Sequence, residues 1–265
     1  MARRWNLHML GVGNAGAVEL GSASAVLERD GEPVLMIDCG QEALTAYLAR
    51  YGQAPRALFI THTHFDHVAG MERLFVQLYF DPARRGDCRL FGPAPLVPWL
   101  QRRVADYPGV LAEGGVNFWD AFRLIPHNRG FWHEQLWFDA FPVRHHAPDT
   151  AFGLALQGSF IYTGDTRPIP EVLGALGDGR EPVLHDCALV GNPSHSGIDD
   201  LEREYPSHLI ARLRLYHYGS VGEGEQLAAR GHRVLQAGQD LPLAAPCAPV
   251  CEGSNDFDEN RPQLV

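Results

Sequence analysis

Apolar and polar positions alternate in short runs over the first third of the chain. Trp5–Leu10, Ser24–Glu28 and Pro33–Ile37 read as strands, separated by Gly-rich or Asp-Gly turns. The period then lengthens, and Leu44, Tyr47, Leu48 and Tyr51 fall at helical spacing within Glu42–Tyr51. Ala57–Thr61 is a continuous apolar run of the buried-strand type, and it leads into the densest polar motif of the sequence. A helix is expected from Ala69 to Tyr79, with Met71, Leu74, Phe75 and Leu78 on one face. Residues 80–135 lose this order. Pro82, Pro93, Pro95, Pro98 and Pro108 cut them into pieces, and Phe118, Trp119, Phe122, Phe131 and Trp132 make them aromatic. They read as an insertion that covers the core, or as a substrate lid or dimer surface. Strands return at Leu136–Val143, Phe152–Gln157, Phe160–Thr163, Val183–His185 and Arg214–Tyr216, with helices at Pro170–Leu176 and Glu223–Ala229. The pattern predicts one domain over 1–241, built as two βα halves with sheets packed together and helices outside. Residues 242–265 read as a flexible tail in which Cys247 and Cys251 form no metal site.

Composition changes this picture mainly by exclusion. All 22 basic residues are arginine. Without lysine there is no phosphate-binding loop of the Gly-Lys-Ser/Thr kind and no Schiff-base or pyridoxal-phosphate chemistry. A Gly-x-Ser-x-Gly elbow is also missing, which weakens a serine hydrolase. The formal charge of −10 argues against a protein built to grip nucleic-acid backbone, although a few local cations could hold a small anion. Five scattered cysteines do not make a disulfide framework, so a reducing cytoplasm is expected. No apolar run approaches the length of a membrane span.

His62-Thr63-His64-Phe65-Asp66-His67 carries the chemistry. A sharp loop at a strand end can aim alternate side chains at one metal and the rest at a second. Imidazole and carboxylate suit zinc and its first-row neighbours. The motif resembles the metallo-β-lactamase superfamily hallmark His-x-His-x-Asp-His. Among its branches the chain is most similar to ribonuclease Z and related phosphodiesterases. Leu10-Gly11-Val12-Gly13, Ser24-Ala25-Val26-Leu27, Ile37-Asp38-Cys39-Gly40, Ile60-Thr61-His62 and Tyr162-Thr163-Gly164-Asp165-Thr166-Arg167-Pro168 carry that likeness. It implies an α/β fold, the metallo-β-lactamase αββα four-layer sandwich.

The resemblance further implies two divalent metal ions per chain, zinc first, with manganese or iron as alternatives. His62, His64, His145 and Asp165 would hold one; Asp66, His67, Asp165 and His217 would hold the other. His145 is selected by Pro148 three residues later, with His146 as its competitor. Asp66 and His195 are the candidate catalytic residues, His195 by likeness to the branch's His-Ser/Thr element, which stabilises or protonates the leaving group. Asp38 would either orient a ligand histidine or serve as a turn acceptor. Arg167 would clamp phosphate or pair with a core carboxylate.

The long-arm ribonuclease Z enzymes grip tRNA with an arm between the isolated ligand histidine and the Gly-Asp-Thr segment. Here His145 and Asp165 are close in sequence, and Ala151–Phe160 reads as a plain hairpin. The expected function is therefore a dinuclear hydrolase of a small phosphodiester such as a cyclic nucleotide, acting through a metal-bridging hydroxide. The alternatives are a ribonuclease Z-like enzyme on tRNA 3′ ends, and a lactonase or thioesterase on the same centre. A homodimer is implied by the family, while a membrane partner is not expected and extended nucleic acid is not favoured.

Overall fold

The computed structural model describes residues 3–247. Its first half is a seven-stranded sheet. β1 (Trp5–Gly11), β2 (Ser24–Arg29) and β3 (Glu32–Ile37) form an antiparallel meander. The turn between β2 and β3 is Asp30-Gly31, both residues at positive φ (58° and 88°), as a two-residue hairpin with right-handed strand twist requires. α1 (Gln41–Tyr51) crosses over to β4 (Ala57–Phe59), which lies parallel to β3. α2 (Phe65–Val68) and α3 (Gly70–Tyr79) then lead to β5 (Cys88–Pro93). A helical stretch containing α4 (Val97–Leu100) follows, before β6 (Phe122–His127) closes that edge.

The second sheet has six strands. β7 (Gly130–His133), β8 (Leu136–Pro142), β9 (Phe152–Leu156) and β10 (Phe160–Tyr162) are antiparallel neighbours. α5 (Pro170–Ala175) leads to β11 (Val183–Asp186), and α6 (Ile198–Glu204) and α7 (Ser207–Ile210) lead to β12 (Leu213–Tyr216); these last strands run parallel to β10. α8 (Val221–Ala229) precedes β13 (Asp240–Leu243), which returns to the first sheet and pairs with β1.

Strand alternation decides which face each side chain enters. Leu7, Met9, Leu27, Leu35 and Phe59 point between the sheets, where they meet Phe138, Leu154, Tyr162, Leu184 and Leu215. Their neighbours Leu10, Val26, Met36 and Leu58 point outward and are covered by Leu44 and Tyr47 of α1 and by Met71, Leu74, Phe75 and Leu78 of α3. The expected stripe of α3 is thus wholly buried, each large side chain contributing about 1.5–3 kcal/mol of burial. Leu173, Leu201, Leu209 and Leu227 extend the inter-sheet core under the helices of the second half. This is the expected αββα four-layer sandwich.

Two readings need correction. Residues 80–135 are not an addition to the fold, because they supply β5, β6 and β7. Prolines placed at strand ends, such as Pro93, hid the strands behind apparent breaks. Trp99 and Val110 in the helical stretch remain exposed. The tail does not begin at Pro242, since Pro242 and Leu243 pair with Asn6 and Trp5, and the Cys247 N–H donates to the Gln157 carbonyl at 3.0 Å. Cys251 and the rest of the expected tail lie outside the described residues. Among the described residues no helix is long and apolar enough to cross a membrane.

Candidate metal centre

The site residues follow the C-terminal ends of strands that all point to one rim. β3 ends before Asp38, β4 before the His62–His67 loop, β8 before His145, β10 before Asp165 and β12 before His217. Ligand sites of α/β sheets gather at such ends. The two sheets are tied there: the Phe152 N–H donates to the Thr61 carbonyl at 2.9 Å, and the His217 N–H to the Val12 carbonyl at 2.6 Å.

The loop after β4 is held against the Asp38-Cys39-Gly40 turn by close backbone approach. Cys39 N–H donates to the His67 carbonyl (2.7 Å) and Gly70 N–H to the Cys39 carbonyl (2.9 Å). A Cβ at Gly40 would run into the Asp66 carbonyl oxygen, so only glycine fits. Asp38 and His217 both take left-handed backbone conformations, φ 62° and 70°. For non-glycine residues these cost about 1–3 kcal/mol each and gather at functional sites.

Two clusters result, and they share one carboxylate. His62, His64, His145 and Asp165 converge as one group, and Asp66, His67, Asp165 and His217 as another, with the atoms of each within 4.8 Å of one another. Around Asp165 Oδ2 lie His217 Nε2 at 3.2 Å, His67 Nε2 at 3.4 Å, His62 Nε2 at 3.6 Å and His145 Nε2 at 3.9 Å. His67, Asp165, His62 and His217 are buried. The Nε2 atoms of His62, His67 and His217 and Asp165 Oδ1 have no hydrogen-bond partner. An unsatisfied buried polar atom costs about 1–3 kcal/mol. Four of them facing one small space fit cations that would satisfy all at once, and the two His/Asp groups are of the kind that holds a dinuclear centre.

His145 and His146 separate cleanly. His145 Nε2 approaches His64 Nδ1 at 3.2 Å inside the cluster, and His145 Nδ1 meets the Ser194 carbonyl at 3.0 Å. His146 is exposed; its Nε2 lies 3.1 Å from the outward Nε2 of His64 and its Nδ1 3.2 Å from Ser194 Oγ. The structure therefore brings His145, and not His146, into the group.

Partners behind these imidazoles fix their rings. Asp38 Oδ2 lies 2.8 Å from His67 Nδ1, and Asp38 also accepts from Thr61 N–H (2.8 Å) and Thr61 Oγ1 (2.7 Å). Asp38 thus orients a cluster histidine. Asp186 does the same in the second half, and the sequence reading missed it. Its Oδ2 lies 2.8 Å from His195 Nδ1 and its Oδ1 3.4 Å from His217 Nδ1. The available signal was an apolar strand ending on Asp, as in Ile37-Asp38. His185 is buried against the Tyr205 hydroxyl at 2.6 Å and takes no part.

His195 stacks on His217, ring centroids 4.9 Å apart, and it lines a cavity of about 310 Å³ with Asn14, His64, Asp66, Asp165 and His217. Arg167 is committed elsewhere. It pairs with Asp200 Oδ2 at 2.5 Å and donates to the His195 carbonyl at 3.0 Å, so it anchors the loop that carries His195. Of the two expected roles the geometry gives Arg167 the pairing with a carboxylate, that of half-buried Asp200.

Charge in the site is balanced internally. Burial opposes the charged form of His217, but Asp165 and Asp186 outweigh it and raise its pKa to about 10. His67 is raised in the same way, against burial, by Asp165, Asp38 and Asp66. Asp165 is held well below the usual carboxylate range, against burial, by His217, His67 and His62. Asp165 and Asp66 are held toward the ionised form, and a divalent cation would take the place of the protons that His67 and His217 hold more tightly than a free imidazole.

A family model described as "Anti-Pycsar protein Apyc1" matches residues 5–240. The Apyc1 protein of Saccharibacillus brassicae is 33% identical over 230 residues, covering 82% of this chain and 91% of that relative. Among solved structures, the metallo-β-lactamase fold protein YhfI from Bacillus subtilis superposes with a TM-score of 0.67 at 12% identity, over 90% of this chain and 99% of that one. The short form of human tRNase Z gives 0.60 at 19% identity, over 91% and 100%. With its two His/Asp clusters on one rim of the sandwich, the chain belongs to the anti-Pycsar protein Apyc1 family and is a metal-dependent hydrolase of the metallo-β-lactamase fold.

Proposed function

We propose that the protein is a phosphodiesterase that opens the phosphodiester of a cyclic nucleotide. Convergence of six side chains on the shared Asp165, beside a small cavity that is also lined by His195 with Asp186 behind its ring, carries this reading. His62, His64, His145 and Asp165 would hold one divalent ion and Asp66, His67, Asp165 and His217 the other, zinc being the first choice for this donor set. Bound there, two such ions lower the pKa of water and neutralise charge on the non-bridging phosphate oxygens. Asp66, open to the cavity, accepts a hydrogen bond from the attacking water and orients it. His195 is turned by Asp186 so that its Nε2 is free to give a proton to the leaving ribose oxygen.

The cavity favours a small substrate. Arg144 and Arg167 nearby are paired with Glu171 and Asp200, leaving no basic groove there for tRNA, and the polar lining does not suit an acyl chain. A panel of cyclic nucleotides, bis(p-nitrophenyl) phosphate, precursor tRNA and lactones, with zinc or manganese added, tests the reading. Cyclic nucleotides should be opened with the highest kcat/KM, and preference for tRNA or a lactone would replace it.

Two substitutions check the ligand set. His145→Ala should lose metal and activity together, while His146→Ala keeps its metal; elemental analysis giving the reverse would move the ligand by one residue. Asp38→Ala removes the acceptor behind His67 Nδ1. Changes behind a ligand histidine cost about 10–100-fold in metal affinity, and chelator competition should find a loss of that size. Unchanged affinity would reduce Asp38 to a turn acceptor.

A further inference from the structure

A second cavity opens off the one that holds the clusters. It measures about 410 Å³ and shares Asn14, Ala15, His64 and Asp66 with the cavity around Asp165 and His195. Phe65 lines it, between two cluster residues in sequence, with 59% of its surface exposed. The loop turns His64 and Asp66 into the clusters and leaves the intervening ring outside. The Arg103 guanidinium lies over that ring, 4.9 Å from its centroid. Val18, 65% exposed, adds a further apolar wall, and Gln41 lies beside it, where the Ser22 hydroxyl already donates to the Glu42 carboxylate.

A phosphodiester seated at Asp165 must carry the rest of its nucleotide out of the cluster cavity. The groove along Pro142–Pro148 reaches only His145 and His146 of the site, carries no Phe, Tyr or Trp, and has both its arginines, Arg144 and Arg167, already paired. The Phe65 cavity instead shares two cluster residues and offers an open aromatic face flanked by a planar cation. Aromatic rings and arginine planes are the surfaces on which nucleobases stack, whatever their sequence.

We propose that this cavity is a nucleobase subsite in which the base of the bound nucleotide stacks on the open part of the Phe65 ring, beside Arg103. The proposal rests on the cyclic-nucleotide reading above. Phe65 binds the base and does not touch the scissile phosphate, so it sets affinity and leaves the chemical step alone.

The test uses the metal-loaded protein, 3′,5′-cyclic AMP, and the abasic ribose 3′,5′-cyclic phosphate. Phe65→Ala should raise KM for cyclic AMP by about 10- to 100-fold with kcat little changed. It should weaken calorimetric binding of the phosphorothioate analogue of cyclic AMP by the same factor. Phe65→Trp should restore both, and the abasic substrate should not distinguish the variants. Unchanged KM and binding in Phe65→Ala would overturn the subsite. So would an equal loss on the abasic substrate, or a change of oligomeric state, which would make Phe65 part of a protein interface. If the unmodified enzyme opens no cyclic nucleotide, the functional reading itself fails, and the subsite with it.

Discussion

Asp165→Ala is expected to strip the protein of both metal ions and of its hydrolytic activity. Asp165 is the one residue common to both clusters, and four imidazoles lie within 3.2–3.9 Å of its Oδ2. Removing it takes the only negative charge from the His62, His64 and His145 group and leaves Asp66 alone in the other. Loss of a single electrostatic stabiliser costs about 10²–10³-fold in rate. Here both groups lose a ligand, so the fall in kcat should exceed that range. Elemental analysis of gently purified protein should find about two ions per chain before the change and fewer than one after it. A variant that keeps one full ion and normal turnover would refute the shared-ligand arrangement. Asp165→Asn keeps the shape of the side chain and should fail in the same way, which separates loss of charge from loss of packing.

The second large effect is expected at His195, and it should depend on the substrate. His195→Ala leaves all seven cluster side chains in place and should retain both ions. General acid catalysis contributes about 10²–10⁴-fold, so turnover of a cyclic nucleotide should fall by that factor. A ribose alkoxide is strongly basic and needs a proton as it leaves, whereas p-nitrophenolate does not. Bis(p-nitrophenyl) phosphate should therefore lose far less. An equal fall on both substrates, or loss of metal, would assign His195 a positioning role through its stacking on His217. Asp186→Asn should show the same substrate dependence in weaker form, because it turns the His195 ring without removing it.

The cluster was legible because its chemistry is local in sequence. His62, His64, Asp66 and His67 are read from one loop, and the Gly-Asp-Thr-Arg-Pro segment marks Asp165. Helices with a clean apolar stripe were legible too: α3 was expected over Ala69–Tyr79 and spans Gly70–Tyr79. What failed depends on partners distant in the chain. β5 is buried at almost every position, so it shows no alternation, and its register is set by β4 and β6. β13 is short and half-exposed, and it exists because β1, more than 230 residues earlier, offers it an edge. Asp186 falls just past the expected strand Val183–His185, and its role appears only when β11 and β12 are set side by side. Phe65 reads as an ordinary apolar residue until its exposure beside the clusters is seen.

One feature of the rim reaches beyond catalysis. His62, His64, Asp66 and His67 follow a strand of the first sheet, whereas His145, Asp165 and His217 follow strands of the second. On the proposed ligand set each ion takes two side chains from each half, so it is a staple between the two layers of the sandwich. Ions that bind only the folded chain stabilise it by about 2.7 kcal/mol each at a free concentration one hundred times Kd. The lifetime of the folded protein then depends on the supply of metal: in a cell short of it, the two layers would part more often, and proteolysis would lower the amount of enzyme before substrate became limiting.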